Sequence, residues 1–167
     1  MKEVQFDGTY MTLTTEQVGD DRIERVSLPD SAHTFIVTEK KLIRLVVEHR
    51  LGQTDTKIKL QAGIVEKDES PLETAKRELR EELGIAAGSW QSLFVLEAQG
   101  AVNHAQHYFL AKDISIISDQ TDGEILGTKD FTSDDLYARA MDGEFSPVTQ
   151  AAIARFLHLI NIGVVTV

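Results

Sequence analysis

The sequence lacks cysteine altogether and contains only three prolines among its 167 residues. Without cysteine the protein cannot form disulfide bridges, thiolate metal sites or a cysteine nucleophile. It also lacks any run approaching the roughly 18 apolar residues of a membrane span. Its first seven residues carry no apolar stretch typical of a secretory signal. We therefore expect a cytoplasmic protein with no membrane partner.

Basic residues are scarce relative to acidic ones. The chain has 17 lysines and arginines against 27 aspartates and glutamates, which gives a formal net charge of −10. This balance argues against a duplex nucleic-acid partner, because such a partner requires a basic surface that displaces counterions. An acidic chain can instead hold metal cations, and a phosphate-bearing substrate would need metal ions or locally placed arginines.

The hydrophobic pattern predicts one layered domain in which strands alternate with three helices, an α/β or α+β fold. We predict short strands within residues 3–29, with a turn at 19–21. Further strands are predicted at 33–38, 41–49, 56–60, 92–99 and 106–111 and near 124–128. Helices are predicted at 70–83 and 134–141 and from 147 onward.

The first of these helices has the clearest end signals. Ser70 is a suitable N-cap, Pro71 suits the first helical position, and Glu73 completes a capping box. Gly84 follows as a C-terminal stop. Apolar residues at helical spacing predict a face that packs on a core, formed by Leu72, Ala75, Leu79 and Leu83.

A second face of this helix carries three glutamates, Glu78, Glu81 and Glu82, spaced i, i+3 and i+4. Each like-charged pair destabilises the helix by a few tenths of a kcal/mol. A hard cation such as Mg²⁺ relieves this repulsion and takes oxygen ligands in octahedral geometry. The backbone carbonyl of Ala62 can join the same ion, because Gly63 permits a close backbone approach.

Taken alone, three glutamates favour a different interpretation, a solvated acidic surface with basic partners on the same helix. The candidate partners are Lys76, Arg77 and Arg80. The residues that surround the glutamates decide between the two interpretations.

These residues match a spaced pattern position for position: Gly63, Glu69, Arg77, Glu78, Leu79, Glu81, Glu82, Gly84 and Ile85. On average composition such a match arises by chance at roughly one in a billion start positions. The segment resembles the signature of the Nudix hydrolases. The resemblance implies an αβα sandwich with a mixed sheet, a loop–helix–loop catalytic motif, and attack of water on a diphosphate joined to a nucleoside.

The resemblance also implies roles for individual residues. The metal ligands would be Ala62, Glu78, Glu81 and Glu82, with Mg²⁺ as the cation and Mn²⁺ as a substitute. Arg77 would orient a glutamate, and Glu69 or Glu81 is within its reach. The catalytic residues would be Glu81, Glu82, Arg77 and Glu124.

The general base is left open by the sequence. It is either a glutamate of the signature or Glu124, which lies on a later loop at residues 119–124. The alternative for Glu124 is a solvated carboxylate in a turn.

Residues outside the signature resemble the ADP-ribose pyrophosphatase branch, namely the runs at 48–50 and 59–63. That likeness implies that Arg50 and Arg25 contact substrate phosphate, whereas each is otherwise a surface charge. It also implies that residues 1–30 form strands for dimerisation or substrate cover, that 31–167 form the Nudix domain, and that the protein is a homodimer. The chain departs from the branch at Gln61 and Gln99, where the branch often has proline.

The predicted function is therefore Mg²⁺-dependent hydrolysis of ADP-ribose to AMP and ribose 5-phosphate. Dinucleoside polyphosphates, NADH and nucleotide sugars remain alternative substrates. A Nudix domain that senses a nucleotide without hydrolysing it is the alternative function.

Overall fold

The computed structural model describes residues 2–49, 56–118 and 125–167. Its strands are β1 (Lys2–Asp7), β2 (Thr12–Val18), β3 (Asp21–Ser27), β4 (Ser31–Val37), β5 (Ile43–His49), β6 (Thr56–Lys59), β7 (Gln61–Ile64), β8 (Ile85–Ala98), β9 (Val102–Ile116) and β10 (Ile125–Phe131). Its helices are α1 (Pro71–Leu83), α2 (Ser133–Met141) and α3 (Pro147–Asn161). Among the residues of these three ranges, no helix is long and apolar enough to span a membrane.

The main sheet is mixed and is built around β9. This strand runs parallel to β4 and antiparallel to β8. β4 also pairs with β5 and β7, and β5 pairs in turn with β6 and β10. A mixed sheet covered by helices confirms the predicted α/β (α+β) class.

Alternate residues of β4 reach two helical layers, as the period of two in a strand requires. Phe35 stacks on Phe156 of α3 with ring centroids 4.0 Å apart. Ile36 points to the opposite face and packs with Leu79 of α1. β4 is therefore the middle layer of an αβα sandwich, and this layering places α1 directly against the sheet.

The first three strands form a separate antiparallel sheet at the N-terminus. β2 and β3 are joined at Gly19, whose φ of +63° suits the turn predicted there. The sheet joins β9 through two residue pairs, Val26 with Val102 and Ser27 with Asn103. Several apolar side chains of this region are exposed to solvent, namely Val4, Phe6, Tyr10, Met11 and Val18.

Two predictions of local structure were wrong. Ala62 and Gly63, expected in the loop before the helix, lie in β7, which pairs with β4. Glycine and alanine have little intrinsic preference for strands, and the pairing partner decides the conformation here. β8 and β9 are also much longer than the strands predicted at 92–99 and 106–111. The two strands pair along their whole length, and this pairing keeps small and polar residues in the extended conformation.

Candidate active site

The helix α1 is defined at both ends by its own side chains. Ser70 Oγ accepts a hydrogen bond from the Glu73 backbone N–H (3.3 Å), and the Glu73 carboxylate accepts one from the Ser70 backbone N–H (2.8 Å). Gly84 closes the helix at φ +61°, and its N–H donates to Arg80 O (2.9 Å). These contacts confirm the predicted capping box and stop, and they fix the register of the glutamates along the helix.

The apolar face of α1 fixes the rotation of the helix. Ala75 and Leu79 are fully buried, and they pack against Ala32 and Ile36 of β4. Fully burying a leucine contributes roughly 2 kcal/mol, so the face cannot turn away without a substantial loss. The glutamates beside that face are consequently held at the edge of the sheet.

Arg77 connects the loop before the helix with the carboxylates on the helix. Its guanidinium donates to both oxygens of Glu69 (3.1 and 3.0 Å), to Glu78 Oε1 (2.8 Å) and to Glu81 Oε2 (3.0 Å). Nη2 also donates to Ile64 O (3.4 Å). The planar guanidinium can bind several carboxylates at once because its five donors point in fixed directions. Both partners that the sequence offered for Arg77 are therefore engaged.

Glu69 is the strongest partner of Arg77. Hydrogen bonds from Arg77 and from the Thr74 hydroxyl (2.7 Å) lower the pKa of Glu69 to about 2. The side chain is thus ionised at all ordinary pH values. It anchors the loop to the helix, and Arg77 is held in place by the same contacts.

Glu78 occupies space that exists only because residue 63 is glycine. A Cβ atom at Gly63 would overlap the Cγ, Cδ and Oε1 atoms of Glu78. Burial raises the pKa of Glu78, and the bond from Arg77 opposes that rise. β7 and α1 therefore hold this carboxylate tightly between them.

Glu82 lies one helical turn after Glu78 and is more deeply buried. Its Oε2 atom is inaccessible to solvent and has no hydrogen-bond partner of regular geometry in the described part of the chain. Burial raises the pKa of Glu82 to about 7, Lys59 and Gln61 favour its ionised form, and Glu78 disfavours it. A buried acid with a pKa this high is typical of a functional position.

These carboxylates fit a divalent cation. A cation would convert the partly buried Glu82 carboxylate and the crowded Glu78 carboxylate from unfavourable buried charges into ligands. In residues 2–49, 56–118 and 125–167 no three acidic or histidine side chains are gathered as a complete ligand set. Arg77 instead binds Glu78 and Glu81 at the same time, and the Glu81 side chain is 56% exposed.

A cavity of about 660 Å³ opens beside β6 and β7, and its described lining includes no residue of α1. Its wall includes Ala62, the predicted carbonyl ligand, and three lysines, Lys57, Lys59 and Lys129. Lys59 pairs with Glu48 and also acts electrostatically on Glu82. Glu48 and Glu144 line the same cavity, so the three lysines leave it with an excess of one positive charge, which can attract a phosphate group.

Of the remaining predicted residues, one lies in the N-terminal strands and two fall outside the described residues. Arg25 lies in β3, where its guanidinium bonds to Glu16 (3.2 Å), and it does not line this cavity. Arg50 and Glu124 lie outside the described residues. Their roles stay predictions from the resemblance.

Sequence reasoning missed two polar residues beneath the helix, Thr34 and Gln61. Both are fully buried. For Thr34 the sequence offered no signal, since threonine is common in strands. For Gln61 a signal was available. The ADP-ribose pyrophosphatase branch often has proline two residues before the glycine that matches Gly63, and a glutamine there indicates that its side-chain amide has a task.

The fold and the site together define a Nudix-type domain, with an acidic helix docked on one face of a mixed sheet. The NUDIX domain family matches residues 28–151, which is more than half of the chain. The protein therefore belongs to the Nudix hydrolase family, as the sequence predicted.

Particular relatives agree with this assignment. The chain is 30% identical over 125 residues to a Bacillus subtilis (strain 168) protein named ADP-ribose pyrophosphatase, covering 71% of this chain and 68% of the relative. A crystal structure of an ADP compounds hydrolase shares the fold at a TM-score of 0.76 and 20% identity, over 99% of this chain and 95% of that one. A NUDIX hydrolase from Nitrosomonas europaea matches at a TM-score of 0.63 and 20% identity, over 77% and 87% of the two chains.

Proposed function

We propose that this Nudix hydrolase cleaves ADP-ribose to AMP and ribose 5-phosphate with Mg²⁺ as its cation. The observation that carries the proposal is the pair of partly buried glutamates, Glu78 and Glu82, held against β7 beside a lysine-lined cavity. The ADP-ribose pyrophosphatase of Bacillus subtilis, at 30% identity, supports the substrate.

Each residue of the site has a proposed task. Glu78, Glu81, Glu82 and the Ala62 carbonyl would hold Mg²⁺, and the bound cation would supply neutralisation of phosphate charge and a more nucleophilic water. Arg77 orients Glu78 and Glu81 through its hydrogen bonds. The proton of the attacking water passes to a general base, for which Glu124 is our candidate.

Substrate recognition is assigned to positive charge around the cavity. Lys57 and Lys129 line the cavity wall and would attract the diphosphate. Arg50 would contact a phosphate, and its replacement by alanine should raise KM for ADP-ribose while leaving kcat nearly unchanged. An unchanged KM would remove Arg50 from the site. Arg25, whose guanidinium bonds to Glu16 in the N-terminal strands, is the second candidate for a phosphate contact.

We also propose that the protein is a cytoplasmic homodimer. The exposed apolar side chains Phe6, Tyr10 and Met11, which are 50%, 66% and 45% exposed, support this assembly through the strands of residues 1–30. Sedimentation velocity at micromolar concentration should give the mass of a dimer, and Phe6→Asp combined with Tyr10→Asp should give a monomer.

The test of the proposed function is a panel of nucleoside diphosphate derivatives incubated with Mg²⁺, with and without chelator. We expect chelator-sensitive release of AMP from ADP-ribose, and slower cleavage of dinucleoside polyphosphates, NADH and nucleotide sugars. Glu82→Gln should lower kcat at least about a hundredfold, in line with the loss of one positioned group in an active site. Turnover of none of these compounds with Mg²⁺ or Mn²⁺ would favour a sensing domain instead.

A matched control is available on the same helix. Lys76→Gln changes one charge in α1 at an exposed residue that acts electrostatically on Glu73 of the capping box rather than on Glu78 or Glu82. Its kcat should stay within about twofold of the unmodified enzyme. A comparable loss in both variants would mean that the helix tolerates no change in charge, and the assignment to Glu82 would fail.

A further inference from the structure

A buried glutamine lies beneath the acidic helix without the hydrogen bonds it needs. Gln61 of β7 is directly opposite Thr34 of β4, and both side chains are 0% exposed. Neither polar atom of Gln61, nor Thr34 Oγ1, has a hydrogen-bond partner of regular geometry in the described structure. Leaving a buried polar group unpaired costs about 1–3 kcal/mol. The stability of the fold therefore does not explain why a glutamine is buried at this position.

The two side chains lie on the face of the sheet that α1 covers. Directly opposed residues of antiparallel strands project to the same face. Ala32, two residues before Thr34 on β4, packs against Ala75 of α1. Gly63, two residues after Gln61 on β7, lies against Glu78 of the same helix.

The spacing of strand and helix places Gln61 beside Glu82. Two residues along a strand span about 6.7 Å, and four residues along a helix span about 6 Å. Since Gly63 faces Glu78, the previous residue on that face of β7 faces the next turn of α1, which carries Glu82. The Gln61 carboxamide lies close enough to favour the ionised form of Glu82, although no regular hydrogen bond joins them.

We propose that Gln61 is a positioning residue for Glu82, a role that rests on the proposed cation-binding function of that carboxylate. Donation from Gln61 Nε2 to Glu82 Oε2 would leave the other carboxylate oxygen for the cation. Donation from the Thr34 hydroxyl to Gln61 Oε1 would hold the amide in that orientation. These two hydrogen bonds would satisfy the four unpaired polar atoms of Thr34, Gln61 and Glu82.

The functional consequence concerns the affinity for the cation. A carboxylate ligand that is held by a hydrogen bond to its second oxygen loses less freedom when the cation binds. Removing partners of this kind typically lowers metal affinity 10- to 100-fold. Gln61 should therefore affect cation binding much more than it affects folding.

The test measures Mn²⁺ binding directly, by the electron paramagnetic resonance signal of free Mn²⁺, so that activity is not required. Gln61→Met keeps the length of the side chain and removes both polar atoms. We expect Kd for Mn²⁺ to rise at least tenfold, while Tm of the metal-free protein is unchanged or higher. A purely structural glutamine would instead give an unchanged Kd, and that result would overturn the proposal.

A second pair of variants keeps the proposal testable if Gln61→Met does not fold. Thr34→Val removes the hydroxyl group at nearly constant shape, and Thr34→Ser retains it. We expect weaker Mn²⁺ binding for the valine variant and near-normal binding for the serine variant. Equal binding by the two would overturn the proposal. If the unmodified protein bound no Mn²⁺, the proposed function itself would fail, which separates the two conclusions.

Discussion

Replacing Gly63 by alanine tests the geometry of the site with a single methyl group. The backbone of Gly63 is not in the left-handed region, so alanine is permitted there. The new Cβ would fall well inside 3.0 Å of the Glu78 carboxylate, whereas ordinary contact begins at 3.4 Å. The end of the Glu78 side chain must therefore move by about 1 Å or more, and a displacement of that size costs about a hundredfold in rate.

The assay is kcat for ADP-ribose at saturating Mg²⁺, measured together with Tm. We expect Gly63→Ala to lower kcat about a hundredfold and to change Tm by only a few degrees, because a flexible side chain yields more easily than the backbone. Gly88→Ala is the matched control. This strand glycine is exposed, and a Cβ there would meet only Asp113, at 3.2 Å. Its kcat should stay within about twofold of the unmodified enzyme.

A double-mutant cycle shows whether the methyl group acts through Glu78. If it does, Gly63→Ala should add almost no loss to a protein that already carries Glu78→Ala, since no carboxylate remains to be displaced. Additive losses, or a Gly63→Ala enzyme with kcat within threefold of normal, would refute the reasoning.

Three further predictions concern the helix and its charges. In the metal-free protein, the free energy of unfolding should fall as pH rises from about 4.5 to 7, because Glu82 keeps its proton in the folded state and releases it in the unfolded state. Glu82→Gln should abolish this fall in Tm over the same pH range. Arg77→Lys should destabilise the protein by about 2 kcal/mol in urea denaturation, since an ammonium group cannot bind three carboxylates in fixed directions. Ser70→Ala should cost about 1 kcal/mol through loss of the N-cap, with KM unchanged.

The sequence was sufficient for those parts of the fold that depend on local chemistry. The caps at Ser70 and Gly84 and the docking of Leu79 follow from neighbouring residues, and the structure has all three. The strand at residues 61–64 could not be predicted, because it forms only when β4 is beside it. The same holds for the contact of Gly63 with Glu78, which joins two elements whose separation only the assembled sheet determines.

The candidate site was predictable as a set of residue types but not as a set of contacts. The signature named Glu78, Glu81, Glu82 and Arg77, and α1 carries them together. It did not indicate that Arg77 binds three carboxylates at once or that one oxygen of Glu82 is inaccessible to solvent. Those properties arise from long-range packing, which a local pattern does not encode.

The contacts of Arg77 make it an internal counterion for the acidic helix. Its single positive charge is shared by Glu69, Glu78 and Glu81, so the like charges on α1 are partly compensated before any cation arrives. Arg77 thereby removes part of the repulsion that a cation would otherwise have to relieve, in contrast to small domains whose folding requires their metal. A cation that binds the helix must compete with Arg77 for Glu78 and Glu81. The stronger the hydrogen bonds from Arg77, the higher the cation concentration that is needed to fill the site.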